Sequence, residues 1–179
     1  SGAINEAEQA FELSGELNPS SVDVLLRRAN VADLLGPREV QIRCLESLIE
    51  LEEAGSMPSL HAQARLLWSL TRTANIERAC SVGEGVLALA DTLKAMSVYT
   101  AALVDLANVA IQRGDYEEGE RRLLEARSRT DTKRAPGQAA RIANNLGNIL
   151  SYRGEPAEAL VAYGEALRLK RQEGDPVGS

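Results

Sequence analysis

Apolar residues recur along most of the chain at three- and four-residue spacing, which is the period of one face of an α-helix. In the stretch 101–111, the residues Leu103, Leu106, Ala107 and Ala110 share such a face. No stretch alternates apolar and polar residues for long enough to indicate a strand. Prolines fall between the helical stretches, where a missing N–H is tolerated. The pattern predicts an all-α protein with nine helices, near residues 3–17, 20–35, 38–54, 58–73, 76–93, 96–113, 116–130, 136–153 and 156–173.

Three copies of a longer pattern follow one another at a fixed offset of 40 residues. Small residues recur at some positions and large apolar residues at others, as helices that cross closely require. Because the register holds without a gap, the copies are predicted to be repeated helix hairpins. The aligned positions are Leu66/Leu106/Leu146, Leu67/Ala107/Gly147, Leu70/Ala110/Leu150, Ala74/Gly114/Gly154, Ala79/Gly119/Ala159, Gly83/Leu123/Tyr163 and Val86/Ala126/Ala166.

The last copy has the residues by which a known repeat is recognised. Its first helix reads Asn-Asn-Leu-Gly-Asn-Ile-Leu over 144–150, and Gly154, Ala159, Tyr163 and Ala166 follow. This pattern resembles the tetratricopeptide repeat, although the family's usual unit has about 34 residues. The long units, and the stretch 166–175, resemble the repeats of bacterial LuxR-type and ATPase-linked regulators.

The resemblance implies an α-α superhelix, that is, a right-handed solenoid of antiparallel helix hairpins. We expect one repeat domain over 1–179, with a half repeat at 3–17, degenerate repeats at 20–55 and 60–94, and repeats at 100–133 and 140–173. A solenoid normally carries atypical end units that cover its core. Since the pattern starts on a half unit, we expect the chain to be a fragment of a larger protein, whose exposed edge favours a homodimer.

Composition narrows the class of partner. The chain has 179 residues, of which 26 are acidic and 20 basic, for a net charge of −6. Direct nucleic-acid binding is not expected, because it depends on clustered Lys and Arg. No apolar run has the roughly 20 residues of a membrane span, and the first residues lack the features of a signal peptide. We therefore expect a cytoplasmic protein that does not bind membranes.

Candidate catalytic groups are few. Gly83 and Gly85 match a loose dinucleotide fingerprint, but no strand precedes them, as that motif requires. His61 is the only histidine, and Cys44 and Cys80 fall on apolar helical faces. The two cysteines are typical of residues that pack in a helical core, and His61 is typical of a partly exposed helix start. The sequence predicts no catalytic, cofactor-binding or metal-binding residue, and hence no enzyme and no cofactor.

A binding groove is the remaining candidate site. In a solenoid of helix pairs, the first helix of each pair lines an extended binding surface. Asn side chains could pair with the main chain of a peptide, and Trp68 could anchor a side chain. The alternative is that the Asn side chains bond neighbouring helices and Trp68 fills the core. The predicted groove residues are Arg65, Trp68, Arg72, Asp105, Asn108, Gln112, Arg141, Asn145, Asn148 and Tyr152.

These patterns favour a non-catalytic module that binds a protein or peptide partner, as part of a larger bacterial regulatory or signalling protein. A small-ligand sensor domain of a transcriptional regulator is the alternative. The identity of the neighbouring domains would discriminate between them.

Overall fold

The computed structural model describes residues 22–35, 38–73 and 75–174. Within these ranges the protein is all-α, which confirms the predicted fold class. The predicted helix at 3–17 and the predicted turn at 36–37 lie outside the described residues. The helices of the described ranges are α1 (Val22–Leu35), α2 (Arg38–Leu51), α3 (Met57–Thr71), α4 (Ile76–Thr92), α5 (Met96–Gln112), α6 (Tyr116–Arg129), α7 (Pro136–Tyr152) and α8 (Pro156–Gly174).

The turns between helices explain where the helices end. Gly114 and Gly154, predicted as turn residues, have φ angles of 77° and 80°. This left-handed conformation suits Gly, which has no Cβ to clash. The amides that follow each glycine bond back to the carbonyls of Ala110 and Leu150, both at 2.9 Å. The turns therefore satisfy the last carbonyls of α5 and α7 in the manner of a Schellman motif.

The chain divides into two compact units at Leu89–Ala90. In the first unit, α1 packs on α2, and α2 packs on α3. Ser56 caps α3, since its hydroxyl accepts a hydrogen bond from the amide of Ser59 at 3.2 Å. The side chains that fill this core are aliphatic, namely Leu25, Ala29, Ala32, Leu45, Leu48, Leu60, Leu67 and Leu70.

In the second unit, α5 packs on α6, α6 on α7 and α7 on α8, while α5 also contacts α7. The predicted helical face of α5, from Leu103 to Ala110, is buried. Asp115 caps α6 by accepting from the amide of Glu118 at 3.1 Å. Among the described residues, no helix has the length and apolar character needed to cross a membrane.

Gly147 marks a close approach of α7 and α8. A Cβ built on this glycine would lie 2.6 Å from Cε1 of Tyr163. Gly147 is buried, whereas the neighbouring Leu146 is half-buried. The ring of Tyr163 therefore occupies the space that a side chain at 147 would need.

Candidate functional site

An open cleft of about 660 Å³ lies in the second unit. Helices α5, α7 and α8 form its walls. Its volume falls in the range of natural ligand sites, about 300–1,000 Å³. Side-chain amides and charged groups alternate with small apolar side chains in the lining, which comprises Asn108, Gly137, Gln138, Ala140, Arg141, Asn144, Asn145, Tyr163, Ala166, Leu167, Lys170 and Glu173.

Three of the predicted groove residues, Asn108, Arg141 and Asn145, line this cleft. Asn108 is half-buried, and Asn145 is only 8% exposed. The exposed Asn144, which lies beside Asn145 on α7, completes a set of three amides. Each amide carries both donors and an acceptor, so the set can pair with the N–H and C=O groups of a peptide main chain.

Arg141 is held in place by a buried carboxylate. Its Nη2 lies 2.7 Å from Oδ1 of Asp105, and its Nη1 donates to Oε1 of Gln138 at 3.3 Å. Asp105 is 5% exposed, so its carboxylate faces the interior of the unit and holds Arg141 from there. Burial raises the pKa of Asp105 to about 6, and Arg141 opposes part of that rise.

At the far end of the cleft, the carboxylate of Glu173 lies over the first turn of α7. A Cβ on Gly137 would come within 2.1 Å of Oε1 of Glu173, so the glycine makes this approach possible. Ala135, the N-cap residue of α7, provides no side-chain acceptor. A carboxylate is favourable there because the helix N-terminus carries partial positive charge. Lys170, in the last turns of α8, forms an ion pair with Glu173.

The other predicted groove residues of the second unit have contacts within it. Oδ1 of Asn148 accepts a hydrogen bond from the hydroxyl of Tyr163 at 2.9 Å. The ring of Tyr152 stacks on that of Tyr116, with centroids 5.4 Å apart. Gln112, at the end of α5, is exposed.

In the first unit, Arg65, Trp68 and Arg72 follow one face of α3. The guanidinium carbon of Arg72 lies 4.9 Å from the centroid of the Trp68 ring, and that of Arg38, on α2, lies 4.8 Å from it. Such cation–π contacts contribute about 0.5–1 kcal/mol each at exposed sites. Nη2 of Arg65 donates to Oδ1 of Asn30 at 2.7 Å. Trp68 is half-buried.

Sequence reasoning missed the contribution of α8 to the cleft and that of Arg38 to the Trp68 cluster. The groove was predicted from first helices alone, whereas Leu167, Lys170 and Glu173 lie on a second helix. The sequence held one signal that Asn144 belongs to the cleft, namely a polar residue at a position that is apolar in the preceding copy. Val104 is fully buried, and Asn144 stands at the equivalent position of the next copy.

The side chains considered above for catalysis or metal binding lie in ordinary environments for a helical protein. Within the described ranges, no group of three His, Cys, Asp or Glu side chains is placed to hold a metal ion. His61 is exposed. Burial raises the pKa of the Cys44 thiol, whereas reactive cysteines have a lowered pKa.

Comparison with known proteins identifies the repeat. The tetratricopeptide-repeat family matches residues 98–172. Among solved structures, MamA is similar with a TM-score of 0.68 at 19% identity, over 97% of this chain and 92% of that chain. A Rap protein in complex with competence and sporulation factor gives a TM-score of 0.77 at 18% identity, over 97% of this chain and 50% of that chain.

YrrB, described as a tetratricopeptide-repeat protein with an unusual peptide-binding site, gives a TM-score of 0.61 at 17% identity, over 95% of this chain and 81% of that chain. No curated protein sequence gives a significant match. At these identities the similarity shows a shared fold.

Proposed function

This chain is a tetratricopeptide-repeat protein, and from that premise we propose that it is a non-catalytic module that binds a peptide segment of a partner protein. The observation that carries the proposal is the cleft between α5, α7 and α8, whose lining includes the amides of Asn108, Asn144 and Asn145. Proteins of this kind are generally scaffolds. Two structures of similar fold, the Rap protein and YrrB, are described with a bound factor or a peptide-binding site.

The polar lining favours an extended peptide as the ligand of this cleft. An extended chain presents N–H and C=O groups that need partners when they leave water. Amide side chains can satisfy both kinds of group, and Leu167, Ala140 and Ala166 offer apolar contacts beside them. A role in a bacterial regulatory protein and a cytoplasmic location stay predictions from the sequence.

Selection from a random dodecapeptide library displayed on phage tests the proposal. The full chain is immobilised, and the affinity of selected peptides is measured by fluorescence anisotropy. Asn108→Ala and Asn144→Ala should each weaken binding about three- to tenfold, which corresponds to one net hydrogen bond. Arg127→Ala, at an exposed position of α6 outside the cleft lining, is the control and should leave affinity unchanged.

Two results would contradict the proposal. One is a library from which the chain selects no peptide, and the other is a set of selected peptides whose affinity is insensitive to both Asn variants. If no peptide is selected and small molecules raise the melting temperature instead, the small-ligand sensor becomes the better explanation.

A further inference from the structure

Helix α8 has an apolar face that no other helix covers. Among the helices of the described ranges, α8 packs only on α7. On the side turned away from α7, Leu160, Val161 and Leu167 are 72%, 74% and 54% exposed. Single exposed apolar residues are common on protein surfaces, whereas a group of them on one face is typical of an interaction surface.

Gly164 lies at the centre of this face. With 3.6 residues per turn, the residues that share its direction lie three, four and seven positions before and after it. The exposed residues at these positions are Ala157, Leu160, Val161, Leu167, Arg168 and Arg171. We call them, with Gly164, the α8 face. A Cβ on Gly164 would meet no atom within 4 Å, so the glycine leaves room for the backbone of a second helix.

The charges on and beside the α8 face change sign along the helix. Glu158 lies beside its N-terminal half, whereas Arg168 and Arg171 lie in its C-terminal half. The ion pair within α8 joins Lys170 to Glu173, and in the described part of the chain neither Glu158 nor Arg168 has an ion-pair partner. These two residues are about 15 Å apart along one helix, which is too far for a contact within it.

We propose that the α8 face binds the α8 face of a second copy of this chain, with the two helices antiparallel and crossing at Gly164. A two-fold axis at the crossing makes each surface the partner of its own copy. Leu160 lies four residues before Gly164, and Leu167 lies three residues after it. Leu160 of each copy therefore meets Leu167 of the other, and the dimer has this contact twice.

The charges favour the antiparallel arrangement. Glu158 lies six residues before Gly164, and Arg168 lies four residues after it. Glu158 of one copy and Arg168 of the other then differ by only about 3 Å in height along the helix axis, on the same edge of the face. Parallel helices would place Arg168 of one copy against Arg168 of the other, and like charges in an interface are unfavourable.

The α8 face lies beside the cleft described above. Leu167 belongs to both, whereas Glu158, Leu160 and Arg168 lie outside the cleft lining. The proposal is therefore independent of peptide binding, and its test uses these three residues.

Sedimentation equilibrium of the full chain measures the association. One helix per copy makes a small interface, so we expect a dimer with a Kd on the order of 10–100 µM. The mean mass should rise from one chain toward two across this range of concentration. Leu160→Gln should raise the Kd at least about tenfold, because an apolar contact is lost twice. Leu124→Gln, at an exposed leucine of α6, is the matched control and should leave the Kd unchanged.

Charge reversal tests the direction of the helices. Arg168→Glu and Glu158→Arg each bring like charges together, so each should raise the Kd about tenfold or more. An equimolar mixture of the two variants should associate with a Kd within about threefold of the wild-type value, because one copy then provides two carboxylates and the other two guanidinium groups. Circular dichroism of each variant shows whether the helices are retained.

A chain that stays monomeric across the whole range would overturn the proposal. Wild-type association in both Leu160→Gln and Arg168→Glu would overturn it as well, since the interface would then lie elsewhere. A mixture of the two charge-reversal variants that does not associate would refute the antiparallel arrangement. If the chain is monomeric and Leu160→Gln weakens the binding of a selected dodecapeptide instead, the occupant of the α8 face is a peptide and not a second copy.

Discussion

The contact between Gly147 and Tyr163 provides a quantitative test of how α7 and α8 pack. A Cβ at position 147 would lie 2.6 and 2.7 Å from Cε1 and Cδ1 of the tyrosine ring. Carbon atoms in contact prefer about 3.5–4.0 Å, so Gly147→Ala must displace the ring by about 1 Å. The hydroxyl of Tyr163 is bonded to Asn148 at 2.9 Å, and this bond resists the displacement.

Opposing effects determine the free energy of unfolding of Gly147→Ala. Replacing Gly by Ala inside a helix stabilises by about 1 kcal/mol. Overpacking costs about 1–3 kcal/mol, and loss of the Tyr163–Asn148 hydrogen bond costs about 1 kcal/mol. The balance predicts a net destabilisation of about 1–3 kcal/mol.

The preceding repeat shows which second substitution should restore stability. At the 40-residue offset, Ala107 and Leu123 stand where Gly147 and Tyr163 do, and both are fully buried. Tyr163→Leu should therefore accommodate Gly147→Ala. We expect the double variant to be at least about 1 kcal/mol more stable than the sum of the two single substitutions predicts. The free-energy changes of substitutions at residues in contact are not additive.

Urea denaturation followed by circular dichroism measures these free energies. Gly164→Ala, on the same helix as Tyr163, is the control, because a Cβ there would meet no atom within 4 Å. It should stabilise the protein by about 0.5–1 kcal/mol. The proposed packing would be refuted if Gly147→Ala stabilised the protein as much as Gly164→Ala does. It would also be refuted if the free-energy change of the double variant equalled the sum of the two single changes.

Three further predictions concern single groups. Burial raises the pKa of Asp105 from 3.8 to about 6, so the folded state binds this proton more tightly than the unfolded state does. The free energy of unfolding should therefore fall by about 1–3 kcal/mol as the pH rises through the range between these two pKa values. Asp105→Asn should flatten this dependence in denaturation at pH 4 to 7, and an unchanged slope would contradict it. Gly114→Ala should lower the melting temperature, because φ is 77° and the left-handed conformation costs about 1–2 kcal/mol, whereas Gly85→Ala, inside α4, should raise it; equal shifts would contradict the turn geometry. Asp115→Ala should cost about 1 kcal/mol through loss of the α6 cap, and a melting temperature unchanged in calorimetry would contradict it.

The helices and turns followed from the sequence because both depend on local properties. Apolar spacing located α5 and α7 within one residue of their observed ends, and the turn residues Gly114 and Gly154 have the left-handed conformation that glycine favours. The end of α2 was predicted at 54, and the helix ends at Leu51. The difference of three residues lies within the error of about two to four residues for helix boundaries that are predicted from sequence.

The cleft depends on pairing between helices, which a single repeat register does not specify. The 40-residue offset placed Asp105 and Asn145 in one column, yet it did not show that both are buried or that Arg141 pairs with Asp105. The contact of Arg38 with Trp68 joins residues 30 positions apart. Such contacts depend on the distance and angle at which two helices pack. The groove residues as a set stay a prediction.

The most direct test of peptide binding in the cleft is an NMR titration of the ¹⁵N-labelled full chain with a peptide selected from the dodecapeptide library. The side-chain amides of Asn108, Asn144 and Asn145 should shift in proportion to the bound fraction, since they are proposed to bond the peptide main chain. Asn75, exposed at the start of α4, should keep its position. The proposed binding site would be contradicted if the peptide saturated the chain while the side-chain amide resonances of all three Asn residues stayed unchanged.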